Sequence, residues 1–126
     1  MPSFSEQLRS EAEPIWRQIF QHPFLKEIKN GTLPEETFRY YLIQDYLYLE
    51  GFGRTVALAL AKAPTSQTFE DLAHRVMTPV ERPLHNQLFA AAGLTQSDAD
   101  NAVRSPANTA YVDHMLQTAS LHGLGP

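Results

Sequence analysis

From Pro34 to Lys62 the chain repeats apolar residues at helical spacing: Phe38, Leu42, Leu49, Phe52, Val56 and Ala59 lie on one stripe. A run of that length commits the chain to one long central helix, because a wide apolar face has to be covered by other elements. The periodicity predicts a helix from about 34 to 62. One position interrupts the stripe. Asp45 stands between Leu42 and Leu49, on the face the helix most needs to bury. A buried carboxylate that stays charged must be paired or hydrogen-bonded.

The rest of the chain also reads as helix. Ser3 with Glu6 three residues later is a capping-box signature for a first helix. Pro14 inside it predicts a kink or a break. "QHPF" ends or redirects that helix, "LKEI" reads as one further turn, and "KNGT" reads as a turn through Asn30 and Gly31. Thr32 is the expected cap of the central helix, with Pro34 in its first turn and Glu35 following. The third helical region carries Pro79 and Pro83, which predicts two segments, one ending before Thr78 and one starting near Glu81, with Gly93 as the cap. Thr95 or Ser97 begins a short helix, and a final helix is capped by Ser105, opened by Pro106 and stopped at Gly123. No segment sustains two-residue alternation and no linker is evident, so the expectation is a single all-α domain over 1–126.

Composition narrows the function classes. The 126 residues carry a net charge of −4 with no basic run, which argues against nucleic acid as a partner. The absence of cysteine excludes a disulfide framework, a thiolate metal site and a cysteine nucleophile within these residues. The N-terminus is polar, and no window approaches a membrane-spanning length. The expectation is a soluble protein of the cytoplasm, without a membrane.

Several residues could carry chemistry. Tyr41 and Tyr48 lie four back and three forward of Asp45, on its side of the helix. Either Asp45 grips a nitrogen-rich ligand whose ring rests on the tyrosines, or it meets a helix N-terminus or an arginine inside the core. Gly51 and Gly53 suit close approach by another helix or by a ligand. Glu70 with His74, and Glu81 with His85, have the i, i+4 spacing of carboxylate–histidine metal ligands and equally of exposed helix pairs. His22 and His114 read as structural, and Phe4, Trp16, Phe20, Phe24 and Phe38 as core. Tyr111, one turn before Met115, can pack its ring while keeping its hydroxyl for a site.

Together these stretches resemble the TenA family, the thiaminase II or aminopyrimidine aminohydrolase proteins. The resemblance runs through "PIWRQIFQHPFLKEIKNGTLPEETFRYYLIQDYLYL", "ALALAKAP", "LH" at 84 and 85, and "SPANTAYVDHML". It implies an all-α, heme-oxygenase-like helical bundle and a homo-oligomer, commonly a tetramer. It implies hydrolysis of thiamin or of aminopyrimidine breakdown products to hydroxymethyl-pyrimidine, with a small pyrimidine as ligand and no cofactor. Asp45 matches the aspartate that binds the amino group and ring nitrogen of the pyrimidine, and Tyr48 and Tyr111 match two tyrosines lining that site. Family chains are longer, and the cysteine nucleophile and glutamate that the resemblance implies match no position in 1–126, so no catalytic residue is assigned here. The chain is expected to be the N-terminal, pyrimidine-binding part of such an enzyme. Competing expectations are a catalytically inactive pyrimidine-binding or oligomerisation module, and a metal-dependent oxidase of the same fold using Glu70, His74, Glu81 and His85. The prolines of "MTPVERPLH" depart from the unbroken acidic helix that the family implies.

Overall fold

The computed structural model describes residues 1–77 and 81–124. Among them every regular element is a helix: α1 (Phe4–Phe20), α2 (Pro23–Asn30), α3 (Glu35–Ala61), α4 (Ser66–Met77), α5 (Glu81–Ala91), α6 (Gln96–Asp100) and α7 (Pro106–Leu121). The chain divides into two compact units, Met1–Thr37 and Phe38–Pro126. No helix among the described residues is long and apolar enough to cross a membrane.

In the first unit, Ser3 and Glu6 form the expected capping box on α1. Pro14 does not break the helix, which runs through it for 17 residues. The carbonyl that loses its partner belongs to exposed Ser10, where water can take the bond, and Glu13 pairs with both Arg9 and Arg17 across the neighbouring turns. "LKEI" belongs to a full helix, α2, rather than to one turn. His22 caps it, its Nδ1 accepting from the Phe24 N–H at 3.1 Å, so the structural reading of this histidine holds. Gly31, at φ 69°, closes α2: its N–H donates to the Ile28 carbonyl and that of Thr32 to the Glu27 carbonyl. That paired closure is what a left-handed glycine permits. Thr32 therefore helps to close α2, and α3 begins three residues later, at Glu35.

The aromatic residues assigned to the core of this unit are a correction. Phe4, Trp16 and Phe20 are 50%, 40% and 60% exposed, and neither α1 nor α2 holds a buried residue. A unit of two helices has too little surface to cover two apolar faces. Trp16 finds partial cover from the Arg9 guanidinium, 4.7 Å from its ring centre, and from Phe20.

The second unit holds the core. Leu42 packs with Phe89, Leu94 and Ala99, and Phe38, Ile43, Tyr46, Leu88 and Ala92 surround them. Pro83 falls at the third position of α5, where a first-turn N–H has no partner inside the helix, so the helix tolerates it. Pro79 lies outside the described residues. Gly93 (φ 67°) closes α5 as expected, with Leu94 N–H donating to the Phe89 carbonyl at 2.8 Å. The two residues bridged by that bond are both in the core, which is the apolar contact such a closure favours. Thr95 caps α6 with Asp98 in a second capping box, and Ser105 caps α7.

Three contacts fix α7 along α3. Gln44 accepts from the Ser105 N–H at 2.9 Å and donates to the Val103 carbonyl at 2.9 Å, while Asn108 donates to its backbone and side-chain oxygens. Gly51 is buried against Val112, and a Cβ there would overlap its Cγ1. At the far end Lys62 Nζ donates to the carbonyls of Ala119, Ser120 and His122 at 2.5, 2.7 and 2.8 Å, satisfying the open end of α7. The helix-crossing reading thus holds for Gly51. Gly53 has nothing within 4 Å of where its Cβ would be.

Candidate functional site

The faces of α3 explain the misplaced carboxylate. Successive residues on a helix turn by about 100°. Phe38, Leu42 and Tyr46 therefore form one face, turned to the core cluster. Gln44, Gly51 and Lys62 form another, turned to α7. Tyr41, Asp45, Tyr48 and Phe52, spaced four, three and four residues apart, form a third stripe between those two. Asp45 belongs to this intermediate stripe, and none of the four is fully buried.

Asp45 has a partner that is neither a helix N-terminus nor an arginine. Its Oδ2 lies 2.7 Å from Nε2 of His85, 40 residues away on α5. The two side chains differ in exposure, 6% for His85 and 32% for Asp45. The His85 ring packs against Tyr46 and Phe89, with ring centres 6.2 and 6.1 Å away and edge-on geometry at 61° to each. Its Nδ1 is buried and has no hydrogen-bond partner among the described residues. With a carboxylate as the neighbour, the ring nitrogen donates and the oxygen accepts.

Tyr48 and Tyr111 are brought together. Their ring centres are 5.4 Å apart, and Phe52 stacks on the other side of Tyr48 at 6.0 Å. Burial, foremost, then the neighbouring Tyr111, Glu81 and Asp45 push the Tyr48 hydroxyl up to about 12 from its ordinary 10.0. Tyr41 is raised as well, by burial first and then by Asp45 and Glu81. Two carboxylates thus act on this stripe, one from α3 and one from the first turn of α5. Tyr111 is 56% exposed, so its ring offers a face to a ligand.

A cleft of about 610 Å³ adjoins the stripe, bounded by Phe52, Gly53 and Val56 of α3, by His74 of α4 and by Glu81 and Arg82 of α5. Asp45, Tyr48 and Tyr111 do not line it; it meets them through Phe52 and Glu81. Arg82 lays its guanidinium 4.2 Å from the Tyr46 ring centre.

Glu70, His74, Glu81 and His85, the residues of the alternative metal reading, are not gathered into one cluster. His85 commits Nε2 to Asp45, and among the described residues no group of three or more His, Asp or Glu side chains could hold a metal ion. Sequence reasoning missed the Asp45–His85 pair. The available signal was the i, i+4 spacing of Glu81 and His85, which puts both on one side of α5; that spacing has a second use, presenting a carboxylate and an imidazole to a neighbouring helix.

The family model described as the TENA/THI-4/PQQC family matches residues 9–124. An aminopyrimidine aminohydrolase of Helicobacter pylori is 32% identical over 114 residues, which are 89% of this chain and 52% of the relative. A putative hydroxymethylpyrimidine/phosphomethylpyrimidine kinase 2 of Schizosaccharomyces pombe is 34% identical over 85% of the chain and 20% of its own length. Among solved structures, a TenA homologue from P. horikoshii OT3 superposes with a TM-score of 0.84 at 37% identity, covering 94% of this chain and 56% of that one. The chain spans about half the length of the curated aminohydrolases and solved TenA structures it matches. With nearly its whole length matched and the helical framework shared, the chain belongs to the TENA/THI-4/PQQC family.

Proposed function

We propose that the chain supplies the pyrimidine-binding part of a thiamin-salvage hydrolase, with Asp45 as the anchor and Tyr48 and Tyr111 as ring contacts. The carrying observation is a partly exposed carboxylate beside a pair of packed tyrosines on a helix face that the core does not occupy. An ionised carboxylate only accepts hydrogen bonds. An aminopyrimidine presents an N–H of its amino group beside a ring nitrogen. Asp45 grips both when a proton sits between carboxylate and ring nitrogen, a paired and charge-assisted contact. That proton also draws electron density from the ring and favours attack by a nucleophile. Tyr48 keeps its hydroxyl protonated and able to donate, since its titration is raised to about 12.

The bond-breaking groups are a cysteine and a glutamate by family resemblance, and none of the 126 residues is cysteine. The 126-residue chain is therefore expected to bind a hydroxymethyl-aminopyrimidine without hydrolysing thiamin. Calorimetric titration with wild type and Asp45→Asn, run beside a thiamin turnover assay on a preparation of verified intact mass, tests both halves. Equal affinity of the two proteins would remove Asp45 as the anchor. Turnover by the verified chain would remove the division of labour.

A second reading, self-association, is favoured by the bare face of α1, where Leu8, Ile15 and Ile19 are 51%, 62% and 50% exposed beside Phe4, Trp16 and Phe20. Light scattering in solution tests it, and a monomer at all accessible concentrations would remove it. A cytoplasmic setting fits a chain without cysteine. Fractionation of the producing cell is the check.

A further inference from the structure

We propose that His85 is a positioning residue that sets the orientation of the Asp45 carboxylate toward the pyrimidine. The inference rests on the reading of Asp45 as the anchor.

An aspartate on a partly exposed helix face has several staggered rotamers open to it. Here one oxygen is held at 2.7 Å, at the short end of the N–H···O range. The holder is almost fully buried while the carboxylate is not. If the bond existed only to satisfy a buried histidine, the other ring nitrogen would also need a partner, and Nδ1 has none among the described residues. Among the described residues the polar contact of the ring is with Asp45.

The ring itself is fixed. It packs against Tyr46 and Phe89, which pack on each other with ring centres 5.3 Å apart; Phe89 is 6% exposed and tied to Leu94 by the closure of α5. Tyr46 is anchored in turn by hydrogen bonds with Gln96. The imidazole is thus carried on a rigid element and locked by packing, as precise placement of a site group requires. Each carboxylate oxygen has two lone pairs, so Oδ2 can accept from His85 and still face a ligand. In the neutral ring this arrangement puts the proton on Nε2 and leaves Nδ1 as an acceptor.

Nitrogen-15 NMR of the imidazoles in the 126-residue protein reads that tautomer without any ligand. In the expected spectrum the signal lost in His85→Gln and perturbed in Asp45→Ala is that of an Nε2–H imidazole. Titration with a hydroxymethyl-aminopyrimidine gives the second readout. His85→Leu is expected to weaken binding about tenfold or more, while His85→Gln, whose amide can donate from nearly the same place, stays within about threefold of wild type. Should His85→Leu fail to fold, His85→Asn replaces it, being polar but too short to reach Asp45. An Nδ1–H tautomer at His85, or His85→Leu (or its Asn replacement) binding as tightly as wild type, overturns the inference while leaving Asp45 as the anchor. Wild type and Asp45→Ala binding equally weakly would instead sink the anchor reading, and this inference with it.

Discussion

Two faces of α3 receive similar side chains and use them differently. Phe38, Leu42 and Tyr46 turn to the core, where Leu42 is 1% exposed. A quarter-turn away Tyr41, Asp45, Tyr48 and Phe52 stay partly open; Asp45 meets a buried histidine, and Tyr48 packs against the rings of Phe52 and Tyr111 and reaches Met115 with its hydroxyl. The first face is held by burial, the second by a hydrogen bond and aromatic pairs. Core cost and ligand affinity should therefore separate on a single helix.

The strongest challenge to that separation is Leu42→Ala. A fully buried leucine deletion of this kind costs about 2–5 kcal/mol, and chemical denaturation should show it with pyrimidine affinity unchanged while the protein stays folded. Asp45→Asn is the converse: affinity for an aminopyrimidine should fall about 100-fold, near 2.7 kcal/mol, with a much smaller change in denaturation midpoint. A large stability loss in Asp45→Asn without loss of affinity would show that the second face is also structural.

The two glycines sharpen the contrast. Gly51→Ala forces a methyl into Val112, a stiff β-branched neighbour, and should destabilise by about 1 kcal/mol net after the gain in helix propensity. Gly53→Ala meets open space and should stabilise by up to about 1 kcal/mol. Thermal melts of both variants decide this, and the same sign for both would contradict the placement of α7.

The smallest effect is a pH dependence. Tyr48 binds its proton more tightly when folded, about 12 against 10.0, so its contribution is intact below pH 10 and is lost as pH rises toward 12. Tyr48→Phe should flatten the alkaline limb of stability between those values, measured by denaturation across the range. An unchanged limb would place the hydroxyl in water.

Much of the fold could be read from local spacing because helix ends are decided within four residues. Ser3 with Glu6, Thr95 with Asp98, Ser105 with Pro106, and the glycines at 31 and 93 each place a boundary where the backbone groups need a partner. The same locality allowed a break at Pro14 that does not occur, and it misled in the aromatic residues of α1. A periodic apolar face says only that cover is wanted, and whether cover exists depends on what else is packed nearby.

The sequence by itself determined that this chain is helical, that its longest helix carries a carboxylate against its own apolar pattern, and that Tyr48 shares that side of the helix. The tertiary structure decided what the carboxylate meets. His85 reaches Asp45 from 40 residues away along the chain, on α5, and Tyr111 reaches Tyr48 from 63, on α7. No short-range signal encodes such meetings: they follow from how Gln44, Gly51 and Lys62 seat α7, and from how Phe89 and Leu94 seat α5, in one shared packing arrangement.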